Sequence, residues 1–240
     1  VLFRSPGAPR LYCFPHGGGS AAEYVRMARD LPNVELHAIQ LPGRGTRFQE
    51  SSFTRMSELV ETLVEEIPFG TEPFAFFGHS LGALIAYEVT RELRRTGRRL
   101  PERLVLSGYP APSIPRVAES VLHLGDDELL AEVGRRHGGL PAEVTADPEL
   151  RALVAGSLRA DYEVLETYRW QDGDALPVPM TLFGGREDAV TKESLIAWGH
   201  HTTEDTTVRQ FPGGHFYFRE RRSPLPRFLA GAMRGLGRGE

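Results

Sequence analysis

The chain reads as an α/β protein: a doubly wound, mostly parallel sheet interrupted by a helical insertion. Three observations predict this. Short apolar runs alternate with amphipathic stretches, the pattern of strands joined by crossover helices. Between residues 108 and 178 the strand pattern stops and only helical periodicity continues. Finally, FAFFGHSLGALIAYE, residues 74–88, passes from an unbroken apolar run into a helix through Gly78-His79-Ser80-Leu81-Gly82. A strand buried on both faces reads as such a run rather than as an alternation.

The bounds are ordinary. At 240 residues the chain suits one domain, 1–240, with residues 113–169 as a helical lid inserted over the sheet. Its 40% hydrophobic and 25% charged residues fit a soluble globule. No apolar run approaches the roughly 20 residues that span a bilayer, so no membrane association is expected. A net charge of −4 argues against nucleic-acid binding. Cys13 is the only cysteine, which rules out an internal disulfide and fits a reducing compartment. It lies in an apolar run and reads as a small core residue. The first ten residues show no signal-peptide apolar region, so a cytoplasmic protein is expected. Nothing suggests an obligate interface, and a monomer is expected.

Residues 11–14 form the first predicted strand, followed by Pro15-His16-Gly17-Gly18-Gly19-Ser20. Such a loop either brings backbone N–H groups to a ligand or is a plain flexible turn; no P-loop Lys-Ser/Thr follows it. Residues 34–39 are the second strand, running into Leu41-Pro42-Gly43-Arg44-Gly45, a turn open to a structural or a functional reading. An amphipathic helix covers 56–67, stopped by Pro68 and Gly70. The helix after Ser80 ends in Arg91, Arg94, Arg95, Arg98 and Arg99. These arginines suit a solvated helix C-terminus, or the docking of an acidic partner. Residues 103–108 are the fourth strand.

Within 113–169, helices are predicted at 129–137 and 147–170, with Asp147 as cap and Pro148 in the first turn. Leu150, Leu153, Val154, Leu158, Tyr162 and Leu165 would share one apolar face. Asp161 falls on that face and needs a partner or nearby water there. Strands resume at 178–183 and 207–211, separated by a helix at 192–200, and a helix over 224–234 closes the chain.

Gly-x-Ser-x-Gly at a strand-to-helix junction is a nucleophile elbow. The turn is tight enough to need glycine at 78 and 82, and it exposes Ser80 at the carboxyl edge of the sheet. A neutral serine hydroxyl needs a general base within reach. Eight histidines compete. His79 adjoins Ser80 but points away across the elbow, His16 belongs to the glycine-rich loop, and His200 and His201 end a helix. His37, His123 and His137 lie within a strand or the insertion. His215 alone follows a late strand through Pro212-Gly213-Gly214. For the orienting acid, Asp188 follows the preceding strand; Glu187 and Asp205 are weaker rivals by position. Ser80, Asp188, His215 is the chain order of the α/β-hydrolase triad. In it Ser80 attacks a carbonyl, His215 carries the proton and Asp188 orients the imidazole. The backbone N–H groups of Leu81 and Gly17 would receive the oxyanion. No His-Glu-x-x-His and no Cys/His cluster is present, so neither a metal nor a cofactor is expected.

The segments CFPHGGGSAAEY, QLPGRGTR, FFGHSLGALIAYE, LRADYEVLETY, LFGGREDAVT and FPGGHFYF together resemble the stand-alone type II thioesterases of polyketide synthase and nonribosomal peptide synthetase pathways. The resemblance runs from about residue 10 to residue 218 with the motifs in family order. It implies hydrolysis of aberrant or stalled acyl groups from the phosphopantetheine arm of acyl or peptidyl carrier proteins, an arm that belongs to the substrate. It also implies Ser80, Asp188 and His215 as triad, Gly17 and Leu81 as oxyanion hole, and 113–169 as a mobile lid. Gly156-Ser157 stand where the family often has proline, a departure within the lid helix. Rival readings are a product-releasing thioesterase domain of a synthase, a small-molecule carboxylesterase, and a non-catalytic carrier-binding protein on the same fold.

Overall fold

The computed structural model describes residues 8–70, 72–115, 119–138, 144, 146–219 and 223–236. A six-stranded sheet in the order β2-β1-β3-β4-β5-β6 forms its centre, and every pairing within it is parallel. The strands are β1 (Arg10–Phe14), β2 (Glu35–Ala38), β3 (Phe74–His79), β4 (Arg103–Ser107), β5 (Met180–Gly185) and β6 (Thr206–Phe211). Each apolar run picked out in the sequence is a strand.

Around the sheet lie the helices α1 (Tyr24–Arg29), α2 (Met56–Glu66), α3 (Leu81–Arg95), α4 (Asp126–His137), α5 (Pro148–Thr167), α6 (Lys192–Ile196) and α7 (Leu225–Met233). Strand β3 shows why its sequence reads as a continuous apolar run, for all six of its residues are buried. Phe74 and Phe76 join the core formed with α2, α3 and α6, while Ala75 and Phe77 join the core formed with α1 and α7. A side chain alternates face at each step along a strand, so burial on both sides demands apolar residues at every position.

The elbow is as tight as the motif requires. A Cβ on Gly78 would lie 2.1 Å from the Gly82 carbonyl oxygen, and one on Gly82 would lie 2.2 Å from that of Phe14. Both neighbours are backbone, so neither can rotate aside.

The described part of the insertion is a helical pair with its own small core. Val121, Leu129, Leu130 and Val133 pack against Ala155, Leu158 and Tyr162. Asp147 caps α5 by accepting from the N–H groups of Glu149 and Leu150, as expected of an N-cap followed by Pro148. The expected apolar face needs one correction. Leu153 is 48% exposed, and the buried stripe of α5 instead runs through Ala155, Ser157, Leu158, Asp161 and Tyr162. Leu158 and Asp161 of this stripe meet the glycine-rich loop, with Leu153 left outside.

The arginines after Ser80 are mostly exposed, yet find partners within the chain. Arg91 donates to the Gln171 carbonyl (3.0 Å) and Arg94 to that of Ala175 (2.7 Å), clamping the strandless segment after α5 onto α3. Arg95 pairs with Glu92 and Arg99 with Glu102. Among the described residues, no helix is long and apolar enough to cross a membrane.

Candidate active site

Ser80 follows β3 and precedes α3, in the turn between them. Its backbone has φ 54° and ψ −123°, and it is the one non-glycine residue with positive φ among those described. Such a conformation costs about 1–3 kcal/mol and persists only where the surroundings enforce it. Here the Ser80 N–H donates to the Ser107 carbonyl at the end of β4 (2.7 Å), and the glycines at 78 and 82 let the chain pass. The Ser80 side chain makes no cap hydrogen bond to the helix start. Its hydroxyl makes no hydrogen bond among the described residues. Leu81 opens α3, and the first N–H groups of a helix lack intrahelical partners.

Asp188 and His215 come from the loops after β5 and β6. Those loops are stitched together: Arg186 N–H donates to the Phe211 carbonyl (2.8 Å) and Glu187 N–H to that of Gly213 (3.1 Å). A Cβ on Gly185 would stand 2.2 Å from the Gly214 carbonyl oxygen, so only glycine allows the approach. The result is a contact of 2.9 Å between His215 Nδ1 and Asp188 Oδ2, with the two side chains 5% and 4% exposed. A carboxylate on Nδ1 leaves Nε2 as the nitrogen available for a proton from serine. The rivals fall away on placement. Glu187 is exposed, and Asp205 precedes β6 at the opposite edge of the sheet, its carbonyl accepting from Met180 N–H (3.0 Å).

The other histidines divide sharply. His79 is buried, with Nδ1 against the Ser107 hydroxyl (2.9 Å), which in turn meets the Tyr217 hydroxyl (2.8 Å). Its Nε2 has no partner among the described residues. The ring packs against His215 with centroids 4.7 Å apart, so His79 supports the imidazole of His215 rather than approaching serine. Arg219 donates to Nε2 of His16 (3.0 Å) and to Glu23 (2.9 Å), which fixes His16 beneath the glycine-rich loop. One neighbour is not legible in the sequence: His137, at the end of α4, stacks on His215 with centroids 4.4 Å apart. The insertion thus reaches the centre of the site.

In the glycine-rich loop, Gly19 N–H donates to the His16 carbonyl (2.9 Å) and Gly18 N–H to Asp161 (2.7 Å). The Gly17 N–H has no internal partner among the described residues. Asp161, marked in the sequence as needing a partner, finds one in Arg44.

A serine on a strained elbow, a carboxylate–imidazole pair and a free loop N–H are the parts of an acyl-transfer site. The family model described as "Thioesterase domain" matches residues 9–230. The chain belongs to this thioesterase family. Over 222 residues the thioesterase is 39% identical to "Thioesterase PikA5" of Streptomyces venezuelae, covering 89% of this chain and 76% of that one. It is 37% identical to "Gramicidin S biosynthesis protein GrsT" of Aneurinibacillus migulanus, covering 94% and 89% respectively. Among solved structures, the type II thioesterase BorB from the borrelidin biosynthetic cluster superposes with a TM-score of 0.86 at 36% identity, over 96% of this chain and 94% of that one. The thioesterase is therefore a hydrolase by family, and its structural neighbours also include ClbQ from the colibactin NRPS/PKS pathway, at 29% identity and a TM-score of 0.85 over 95% of this chain and 97% of that one.

Its histidines make a pH prediction. Burial holds both His16 and His79 well below the ordinary imidazole range; Arg219 adds to the effect on His16 and the His215 imidazole to that on His79. In the unfolded chain each takes up a proton near pH 6.5, while in the folded thioesterase both stay neutral. Their folded values are depressed, so their contribution is intact above about pH 6.5 and is lost as the pH falls below it. The slope is at most about 1.4 kcal/mol per pH unit for each histidine. Thermal melts should show Tm falling between about pH 7.5 and pH 5.5; a flat Tm over that window contradicts the buried, neutral assignment.

Proposed function

We propose that this protein is an editing thioesterase that hydrolyses aberrant or stalled acyl groups from the phosphopantetheine thioester of acyl or peptidyl carrier proteins. The observation carrying this reading is the buried Asp188–His215 pair, delivered with the strained Ser80 to one edge of the sheet. The pathways of the relatives support the choice of thioester.

In the proposed reaction, Ser80 Oγ attacks the thioester carbonyl while its proton passes to His215 Nε2. Asp188 holds the imidazole tautomer and stabilises the cation that forms. The oxyanion is received by the N–H groups of Leu81 and Gly17. As the tetrahedral intermediate collapses, the C–S bond breaks and His215 returns the proton to the pantetheine sulfur. Water, deprotonated by the same imidazole, then attacks the acyl-serine; the acyl C–Oγ bond breaks, His215 returns the proton to Ser80 Oγ, and the acid leaves. All groups in this scheme are side chains and backbone of the protein, and the phosphopantetheine arm is part of the substrate. Residues 113–169 serve as the lid, a role supported by His137 lying against His215. The protein is proposed to work as a cytoplasmic monomer that meets its carrier transiently.

The test compares kcat/KM for a panel of acyl groups loaded on carrier proteins with that for p-nitrophenyl esters of the same acids. Preference for carrier thioesters, strongest for acyl groups that stall extension, is expected. A clear preference for the oxygen esters would identify a carboxylesterase and overturn the proposal.

A further inference from the structure

The Asp161 carboxylate takes three strong hydrogen bonds. Arg44 supplies two, from Nη1 to Oδ2 (2.6 Å) and from Nη2 to Oδ1 (2.7 Å), and Gly18 N–H gives the third to Oδ2 (2.7 Å). The Arg44 and Asp161 side chains are only 6% and 4% exposed. Replacing a buried ion pair by apolar side chains of similar volume often leaves stability unchanged or raises it, so this pair is weak evidence of a purely stabilising role.

Its position suggests the role. Asp161 sits on the lid helix α5, Arg44 in the turn after β2, and Gly18 in the loop proposed to hold the oxyanion. Gln40 ties the second and third together, accepting from Ala21 N–H (3.1 Å) and donating to the Arg44 carbonyl (3.1 Å). The His16 carbonyl and the Gly17 N–H share one peptide plane and point in opposite directions. That carbonyl is held by Gly19 N–H, in a four-residue turn whose central residues are Gly17 and Gly18, the latter at φ +72°. The turn is clamped from outside, since Asp161 grips Gly18 N–H and a Cβ on Gly18 would stand 2.8 Å from Leu158 of α5.

We infer that Asp161 and Arg44 are positioning residues for the oxyanion hole: the lid helix, through their buried ion pair, fixes the turn that aims the Gly17 N–H. Because Asp161 rides on α5, the donor is aimed only while that helix is seated. Seating of the lid and assembly of the oxyanion hole are then one event. This inference rests on the catalytic reading of Ser80 and Gly17 above.

The test uses the full chain, an acyl-N-acetylcysteamine thioester as substrate, and an acyl trifluoromethyl ketone as oxyanion probe. In the double variant Arg44→Met/Asp161→Leu an apolar pair replaces the ions, so Tm should stay near that of the parent. Its kcat should fall on the order of 10²-fold with KM unchanged, the size expected from a small misplacement of a catalytic group. Ketone affinity should fall by the same factor, an effect that a merely structural role would not produce. Asp161→Asn keeps the shape and one acceptor but loses the charge-assisted grip; a loss of about tenfold in both readouts is expected. Parent-like kcat and ketone affinity in either folded variant overturn the inference. Ser80→Ala is the control: if it still turns over, the catalytic reading itself fails, whereas an inactive Ser80→Ala beside a fully active double variant removes only the positioning role.

Discussion

Ser80→Ala should reduce kcat by on the order of 10⁶, the loss seen when a triad nucleophile is removed. The size follows from the arrangement of the site. In the proposed reaction His215 and Asp188 make one hydroxyl nucleophilic, and without it they are left with water alone to activate. Water could still be activated weakly, and the oxyanion donors would remain, so some catalysis above background is expected to survive. Two measurements check this. Turnover of an acyl-loaded carrier should vanish against the parent enzyme, and intact-protein mass spectrometry should no longer trap an acyl adduct. Retained turnover would refute the Ser80 assignment. The substitution leaves the backbone strain at φ 54° in place, so the folded state should differ little.

Asp188→Asn should lower kcat by about 10⁴, because an amide at this position favours the wrong tautomer of its imidazole partner. The contact between His215 Nδ1 and Asp188 Oδ2 is 2.9 Å and nearly dry, so no solvent can substitute for the lost carboxylate. Glu187→Gln, one residue earlier but exposed, should be close to neutral and separates the geometric role from general acidity of the loop. A loss below tenfold in Asp188→Asn would mean that another group orients His215.

Much of this architecture is legible in the sequence, for a physical reason. Strands buried on both faces must be apolar throughout, so β3 announces itself in FAFF, and a turn this tight can be written only with glycine at 78 and 82. Asp188 and His215 could be chosen because a parallel sheet sends every loop that follows a strand to the same edge. The contacts that escaped are those made by side chains between distant elements. Arg44 and Asp161 lie 117 residues apart, and nothing local in either segment names the other. The sequence did carry half the signal, since an aspartate on an apolar helix face requires a partner, though not which one. His137 stacking on His215 is of the same kind: it depends on how α4 settles over the sheet. The exposure of Leu153 likewise follows from packing rather than periodicity.

From β1 the chain steps outward to β2, and from β3 it steps the opposite way to β4. With right-handed crossovers, the two connections must leave on opposite faces, and they do: α1 packs on the side of Ala75 and Phe77, α3 on the side of Phe74 and Phe76. The loops that follow β1 and β3 therefore part from each other above the sheet. That is a topological switch point, where an open parallel sheet leaves a crevice at its carboxyl end without removing anything from the core. Gly17 follows the first of these strands and Ser80 the second. In the proposed reaction a carbonyl lodged between the two loops would meet nucleophile and oxyanion donor together, at the point where the winding of the sheet reverses.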